Sequence, residues 1–208
     1  MDVSVEQKPI ATSTSKSIPL DSKLWNLIQQ EISNPYLKMQ EARVDQPWEV
    51  DQINVSDPMR KSQISWLYNF DLKKQILSEI CEYNSLPGSW NYHLDGMGHI
   101  QYGIYPVGGH YDWHVDEFYI PLMKKEYDNK ILQRKISFTI FLNDPDEYEG
   151  GELDIEVGGP RDDIRYHTFK LPKADFLIFR SSLWHRVRPV TSGVRKSLVG
   201  WIMGPPFR

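Results

Sequence analysis

From Trp90 to its end the chain is a succession of short apolar runs cut by Gly, Pro and Asp. Candidate strands fall at 90–95, 98–106, 110–116, 134–142, 151–156, 164–170, 175–179, 184–190 and 195–203. Roughly eight or nine strands at this spacing predict a mainly β fold, a sandwich or barrel of the jelly-roll kind. Upstream the period changes. Asp21 or Ser22 is placed to cap a helix with Leu24, Leu27, Ile28 and Ile32 on one side. Residues 34–62 read as loops and short strands, and Ile64 to Phe70 as a strand. Asp71 is then placed to cap a second helix carrying Leu72, Ile76, Leu77 and Ile80, ending before Asn84 and Pro87. The two helices are expected to cover one sheet. Residues 1–18, polar and rich in Ser and Thr, read as a mobile tail, and 19–208 as a single domain without internal repeat.

Composition limits what such a domain does. The 208 residues are 40% hydrophobic, enough for one real core. Lys and Arg number 24 against 28 Asp and Glu, a net charge of -4, which argues against general binding to a phosphate backbone. No nucleic-acid partner is expected. Arg180, Arg186, Arg188, Arg195 and Lys196 make the last part locally basic. Most of these read as a solvated face, with room for one ligand clamp. Cys81 is the only cysteine, so no intrachain disulfide forms and a reducing compartment fits. No run is long and apolar enough to span a bilayer, and Met1 to Ser17 lacks the apolar core of a signal peptide. The expectation is a cytoplasmic protein with no membrane partner.

Metal-ligand patterns need weighing against ordinary strand polarity. Three His-x-Asp triplets occur: His93-Leu94-Asp95, His110-Tyr111-Asp112 and His114-Val115-Asp116. Residues i and i+2 of a strand share a face, so each could present two ligands together. Parity leaves the last two equal, since 110, 112, 114 and 116 all share a face. His185 taken alone reads as a structural histidine, and Arg195 as a surface charge. Taken jointly, His-x-Asp, a long gap, His and then Arg ten positions later suit a nonheme ferrous site. Two histidines and a carboxylate hold one face of the ion and leave other positions open. Alternation puts Arg195, Ser197, Val199 and Trp201 on one face of a final strand and Lys196 on the other, and the planar fork of arginine suits a carboxylate.

Three motif runs carry a family resemblance. The first is Tyr105-Pro106-x-Gly108-Gly109-x-Tyr111-x-x-His114-x-Asp116. The second is Phe141-Leu142-Asn143-Asp144, leading into Gly150-Gly151-Glu152-Leu153. The third is His185-Arg186-Val187-x-Pro189-Val190-Thr191-x-Gly193-x-Arg195. Over about half of the chain this resembles the Fe(II)- and 2-oxoglutarate-dependent oxygenase superfamily, in particular the prolyl 4-hydroxylase-like branch with the PKHD-type hydroxylases of bacteria and phages. Arg60-Lys61-Ser62 resembles the Arg-x-Ser segment often found ahead of that core.

The resemblance implies a double-stranded β-helix (jelly-roll) core with flanking helices. It selects His114 over His110, because it places Tyr111 three residues ahead of the histidine. It implies metal ligands His114, Asp116 and His185, and 2-oxoglutarate contacts from Arg195 and Tyr105, with Trp201 flanking the pocket. Fe(II), 2-oxoglutarate and dioxygen follow as cofactors, and the branch admits ascorbate. Tyr111, Trp113 and Arg60 are candidate substrate-facing residues, and Tyr119 and Trp184 are further candidates for aromatic walls. No side chain beyond the metal centre need act as acid or base. One departure stands out: some relatives carry tyrosine where Phe141 stands, and its hydroxyl helps to hold the cosubstrate. Gly150-Gly151 reads separately as a tight hairpin ahead of a strand. Residues 117–133, polar apart from Tyr119 to Met123, are expected to form a loop over the site.

The function this implies is hydroxylation of an unactivated C–H bond, with a prolyl residue of a peptide or protein as the favoured substrate. A hydroxylase of a small molecule or free amino acid is the second reading. A non-catalytic jelly-roll metal-binding module is the third, and the intact ligand set with Arg195 argues against it. Nucleobase demethylation is disfavoured by the acidic balance.

Overall fold

The apolar runs of the second half become strands that pair antiparallel with one another. The protein is described here by a computed structural model covering residues 15–42, 59–117, 119–120, 132–159 and 162–207. The first part holds β1 (Ser15–Pro19), α1 (Ser22–Ile32), β2 (Gln40–Glu41), β3 (Arg60–Lys61), β4 (Gln63–Leu67) and α2 (Phe70–Asn84). Then come β5 (Gly96–Met97), β6 (Ile100–Tyr105), β7 (His110–His114), β8 (Tyr119–Ile120), β9 (Leu132–Phe141) and β10 (Tyr148–Gly150). The chain closes with β11 (Leu153–Glu156), β12 (Tyr166–Phe169), β13 (Asp175–Arg180), β14 (His185–Val187), β15 (Val190–Gly193) and β16 (Arg195–Gly204).

A large sheet runs β1-β13-β9-β16-β6-β4-β2, with β5 on β16 and β8 on β9. A five-stranded sheet, β12-β11-β14-β7-β3, faces it, and β10 and β15 form a small pair at one end. This is the mainly β jelly-roll that the strand spacing predicts. Alternation gives the large sheet two different faces. Ile136, Phe138, Ile140, Phe176, Ile178, Leu198 and Ile202 point to the helices, where Leu24, Ile28, Leu72, Ile76 and Ile80 are buried against them. Each such side chain contributes about 1.5–3 kcal/mol on full burial. The helix side therefore carries much of the fold's stability. The other face meets the smaller sheet through Tyr105, Phe141, Leu153, Ile155, Leu177, Phe179 and Val187. That inner face also has room for polar groups.

The helices start where side chains replace missing backbone partners. Asp21 accepts from the Leu24 amide at 2.7 Å. The cap of α2 is Asn69 rather than Asp71: Asn69 has extended backbone and accepts from the Leu72 amide at 2.9 Å. Asp71 falls inside the first turn, where an acidic group meets the positive end of the helix dipole.

Three expectations are corrected. Residues 15–18 are not tail but belong to a strand, Ser15–Pro19, that pairs with β13 along its whole length; residues 1–14 lie outside the described residues. Residues 90–95 form no strand, because the Asn84 side chain takes both backbone groups of Tyr92, its amide nitrogen donating to the carbonyl and its oxygen accepting from the amide, each at 2.9 Å. The run 184–190 divides into β14 and β15 at Pro189, which has no amide to give a ladder. Of the expected lid over 117–133, only residues 117, 119–120, 132 and 133 are described, and Tyr119–Ile120 pair with β9. Among the described residues no helix is long and apolar enough to cross a membrane.

Candidate metal centre and its carboxylate pocket

The decisive local feature is a β-bulge in β7. His185 pairs with His114, and Val187 pairs with Tyr111, so two residue steps on β14 match three on β7. The extra residue breaks simple alternation. Tyr111 and His114 both turn inward, and their rings stack at 3.5 Å with 13° between planes. His110 stays with Lys61 at the other end of the strand, its Nδ1 3.0 Å from the Gly108 carbonyl. Parity could not separate the two triplets; the bulge does.

His114, Asp116 and His185 converge so that one ligand atom from each lies within 4.8 Å of the others. His114 Nε2 is 3.8 Å from Asp116 Oδ1, and His185 Nε2 is 3.3 Å from Asp116 Oδ2. Each imidazole is oriented from behind. His114 Nδ1 donates to the Asp112 carbonyl at 2.7 Å, and His185 Nδ1 to the Leu183 carbonyl at 2.9 Å. A carbonyl only accepts, so Nδ1 of each ring carries a proton and Nε2 faces the cluster, bare in a neutral ring and protonated in a charged one. Burial, reinforced by the nearby His185, pushes His114 down to about 3, leaving a neutral imidazole. Burial would raise Asp116, but the charge and hydrogen bond of His185 outweigh it and hold the carboxyl below the usual carboxylate range. Burial would likewise lower His185, and Asp116 outweighs that and raises it. Without metal, the raised His185 and the lowered Asp116 favour an ion pair, and a divalent ion held by both would displace the Nε2 proton.

Two residues outside the sequence reading brace this cluster. Ser137 Oγ donates to Asp116 Oδ2 at 2.8 Å and lies 2.9 Å from Ser181 Oγ. The Asp116 amide donates to the Ser181 carbonyl at 3.0 Å. The available signal was the alternation of Lys135, Ser137 and Thr139 with Ile136, Phe138 and Ile140, which marks a polar inner face. Partners of metal-ligating carboxylates typically matter by roughly 10–100-fold in affinity. Ser137→Ala is therefore expected to weaken Fe(II) or Mn(II) binding about tenfold or more, read by calorimetry, with the fold unchanged. Unaltered affinity would show that Asp116 needs no such brace.

A second feature lies on the same inner face. Arg195, 2% exposed, pairs with Tyr105 across β16 and β6. Its Nη1 donates to Ser197 Oγ at 3.0 Å, and its buried Nε has no hydrogen-bond partner among the described residues. The guanidinium carbon is 5.1 Å from the Tyr105 ring centroid and 5.7 Å from that of Phe141. Among the described residues no carboxylate pairs with it. A buried cation without an anion is costly, so the arrangement suits a carboxylate brought from outside. Gly151, with φ +66°, makes room: an added Cβ would stand 3.0 Å from Arg195 Cδ. Gly150 has φ +69°, and a side chain there would strike the Pro189 carbonyl, so the pair also serves the tight turn.

The remaining candidates fall in different places. Arg60, 8% exposed, bonds Ser62 Oγ at 2.9 Å and Gln101 Oε1 at 2.6 Å and stands 4.7 Å over the Tyr111 ring, at the edge of the site. Trp201 leans on Trp66 at 6.4 Å with the Arg134 guanidinium 3.9 Å over its ring. Trp113 packs edge-on against Tyr166 at 5.8 Å, with the Arg186 guanidinium 4.8 Å over its ring. Trp184 is largely exposed. The side chain of Tyr119 lies outside the described residues.

Comparison with known proteins agrees with this arrangement. The chain is 41% identical over 102 residues to a PKHD-type hydroxylase of Stenotrophomonas maltophilia, covering 49% of this chain and 41% of that one. It is 41% identical over 98 residues to a PKHD-type hydroxylase of Aliarcobacter butzleri, covering 47% and 40%. The chain thus spans less than half the length of these curated relatives. Among solved structures, a Pseudomonas putida prolyl-4-hydroxylase superposes with TM-score 0.61 at 20% identity, over 92% of this chain and 93% of that one. A Trichoplax adhaerens prolyl hydroxylase, in complex with a hypoxia inducible factor oxygen degradation domain peptide fragment, gives 0.65 at 17%, over 92% and 84%. At such identities the likeness speaks for the fold alone. The sequence model of the 2OG-Fe(II) oxygenase superfamily matches residues 100–203, the stretch that holds the bulge, the three converging ligands and the unpaired arginine; the chain belongs to that superfamily.

Proposed function

We propose that the chain is an Fe(II)- and 2-oxoglutarate-dependent hydroxylase, with residues 15–208 as its single catalytic domain, acting on a prolyl residue of a peptide or protein. The observation that carries the reading is the buried, unpaired Arg195 on the same inner face as the His114, Asp116 and His185 cluster. His114, Asp116 and His185 would hold the ion through two neutral imidazoles and one carboxylate, leaving positions open. Arg195, braced by Ser197, would pair with the distal carboxylate of 2-oxoglutarate, with Tyr105 beside it. The bound ion and cosubstrate supply the oxidising chemistry, in which 2-oxoglutarate and dioxygen are consumed to give succinate, carbon dioxide and a hydroxylated carbon. Phe141, Leu177 and Phe179 wall the inner face and keep water from it. Tyr111 fixes the His114 ring by stacking, and Arg60 holds Tyr111 from its other side. Ascorbate has no residue here to assign to it; in this reading it serves as an accessory reductant in solution. The single Cys81 and the lack of an apolar spanning helix among the described residues are consistent with a cytoplasmic setting.

Support for a prolyl substrate comes from the fold neighbours, several of which are prolyl hydroxylases. The test is to load the protein with Fe(II) and 2-oxoglutarate without oxygen, admit oxygen, and measure succinate with and without a panel of proline-containing peptides. A peptide that raises succinate and gains one oxygen by mass on proline is the expected result. Succinate stimulated by free amino acids and by none of the peptides would move the assignment to a small-molecule hydroxylase.

A further inference from the structure

Phe141 stands beside Arg195 with no hydroxyl to offer. Next to the same guanidinium is another phenol. Tyr148, at the start of β10, is 3% exposed, and its buried Oη has no well-formed hydrogen bond among the described residues. A Cβ built on Gly151 would meet Tyr148 Cε2 at 3.2 Å and Arg195 Cδ at 3.0 Å, so the tyrosine's ring edge and the arginine's stem flank one bare glycine. Burial pushes the Tyr148 phenol up, and the charge of Arg195 draws it partly back. The phenol oxygen thus lies within reach of the guanidinium as an acceptor, and among the described residues neither Tyr148 Oη nor Arg195 Nε makes a well-formed hydrogen bond, so the phenol O–H is left to donate elsewhere. Lys170 holds the tyrosine in place: its Nζ donates to the Tyr148 carbonyl at 2.7 Å and lies 4.5 Å from the ring centroid. Buried hydroxyls are nearly always satisfied in folded proteins, so two orphans side by side point to a shared partner from outside the chain.

We propose that Tyr148 donates a hydrogen bond to the distal carboxylate of 2-oxoglutarate beside Arg195, in place of the hydroxyl that Phe141 lacks. This rests on the oxygenase reading above. The chemistry is complementary. A carboxylate offers about four lone-pair sites. One edge of a guanidinium fills two of them, and a phenol O–H fills another. The hydroxyl comes from a different strand than in relatives with tyrosine at the Phe141 position, and the rigid Gly150-Gly151 turn sets its approach.

The test is calorimetric titration of the Fe(II)-loaded protein, without oxygen, using two ligands. One is 2-oxoglutarate; the other is 2-oxopentanoate, which has the same chain length and no distal carboxylate. Losing a hydrogen bond to a charged group should weaken 2-oxoglutarate binding to Tyr148→Phe by about tenfold or more. Binding of 2-oxopentanoate should not change. Phe141→Tyr added to Tyr148→Phe should recover affinity for 2-oxoglutarate only. Equal 2-oxoglutarate affinity in Tyr148→Phe and parent overturns the proposal and leaves the oxygenase reading intact. Equal weakening of both ligands overturns it too, because the ring would then act through packing. A parent protein that does not bind 2-oxoglutarate overturns both.

Discussion

Asp116→Ala is expected to remove metal binding and turnover together. Asp116 is the one anionic donor of the three, and both its oxygens are committed, Oδ1 toward His114 and Oδ2 toward His185 and Ser137. Losing an outer partner of a ligand costs roughly 10–100-fold in metal affinity. Losing the charged ligand itself should cost more, because two neutral imidazoles leave a divalent charge without an anion in a buried site. The fold should survive. In the metal-free protein the change deprives His185 of its counter-charge, and His185 answers by releasing its proton rather than by unfolding the site. His110→Ala is the matched control. Its ring lies beyond the bulge, against the Gly108 carbonyl, so the variant should keep its metal. Titration of parent and both variants with Fe(II) or Mn(II) decides the matter. Equal loss in the two variants would mean that the wrong triplet has been identified.

What the sequence made legible was whatever depends on near neighbours. The spacing of Leu72, Ile76 and Ile80 is enough to define α2, and all three are fully buried. Its cap was less legible, since Asn69 and Asp71 are both good capping types two residues apart, and only the extended backbone at Asn69 separates them. The apolar runs announced most strands of the two sheets. The exceptions are set by distant partners. Residues 15–19 look like polar tail, yet β13 supplies them with a full ladder. Residues 90–95 look like strand, yet Asn84 has already taken the Tyr92 backbone. The bulge that turns His114 inward exists only relative to β14, so parity read along one strand could not find it. The family resemblance pointed to His114 by a different route, through the position of Tyr111. Ser181 and Tyr148 were invisible for the same reason as β1, since their neighbours come from register and turns, and for Ser137 the alternation marked the face but not the partner.

Arg195→Leu is the other large effect, and it separates an oxygenase from a metal-binding module of the same fold. A buried charge pair that loses one partner typically costs about 2–5 kcal/mol. At roughly 1.4 kcal/mol per tenfold, 2-oxoglutarate binding should weaken by about thirty-fold to several-thousand-fold. The ion should stay, because His114, Asp116 and His185 are untouched. The free protein should show the opposite sign. Arg195 is buried, and among the described residues no carboxylate compensates its charge; leucine would replace that cation with apolar contact to Tyr105 and Phe141. Substituting buried ionic groups by apolar residues of similar volume is often neutral or stabilising. The ligand-free variant should therefore melt at or above the parent. Adding 2-oxoglutarate at about a hundred times its dissociation constant should stabilise the metal-loaded parent by about 2.7 kcal/mol and the variant hardly at all. Lys196→Leu, one residue on and facing the helix side, should follow the parent in both respects. A variant that binds 2-oxoglutarate as the parent does would remove the reason for a buried arginine at this position, and the cosubstrate assignment would give way to a metal-binding role alone.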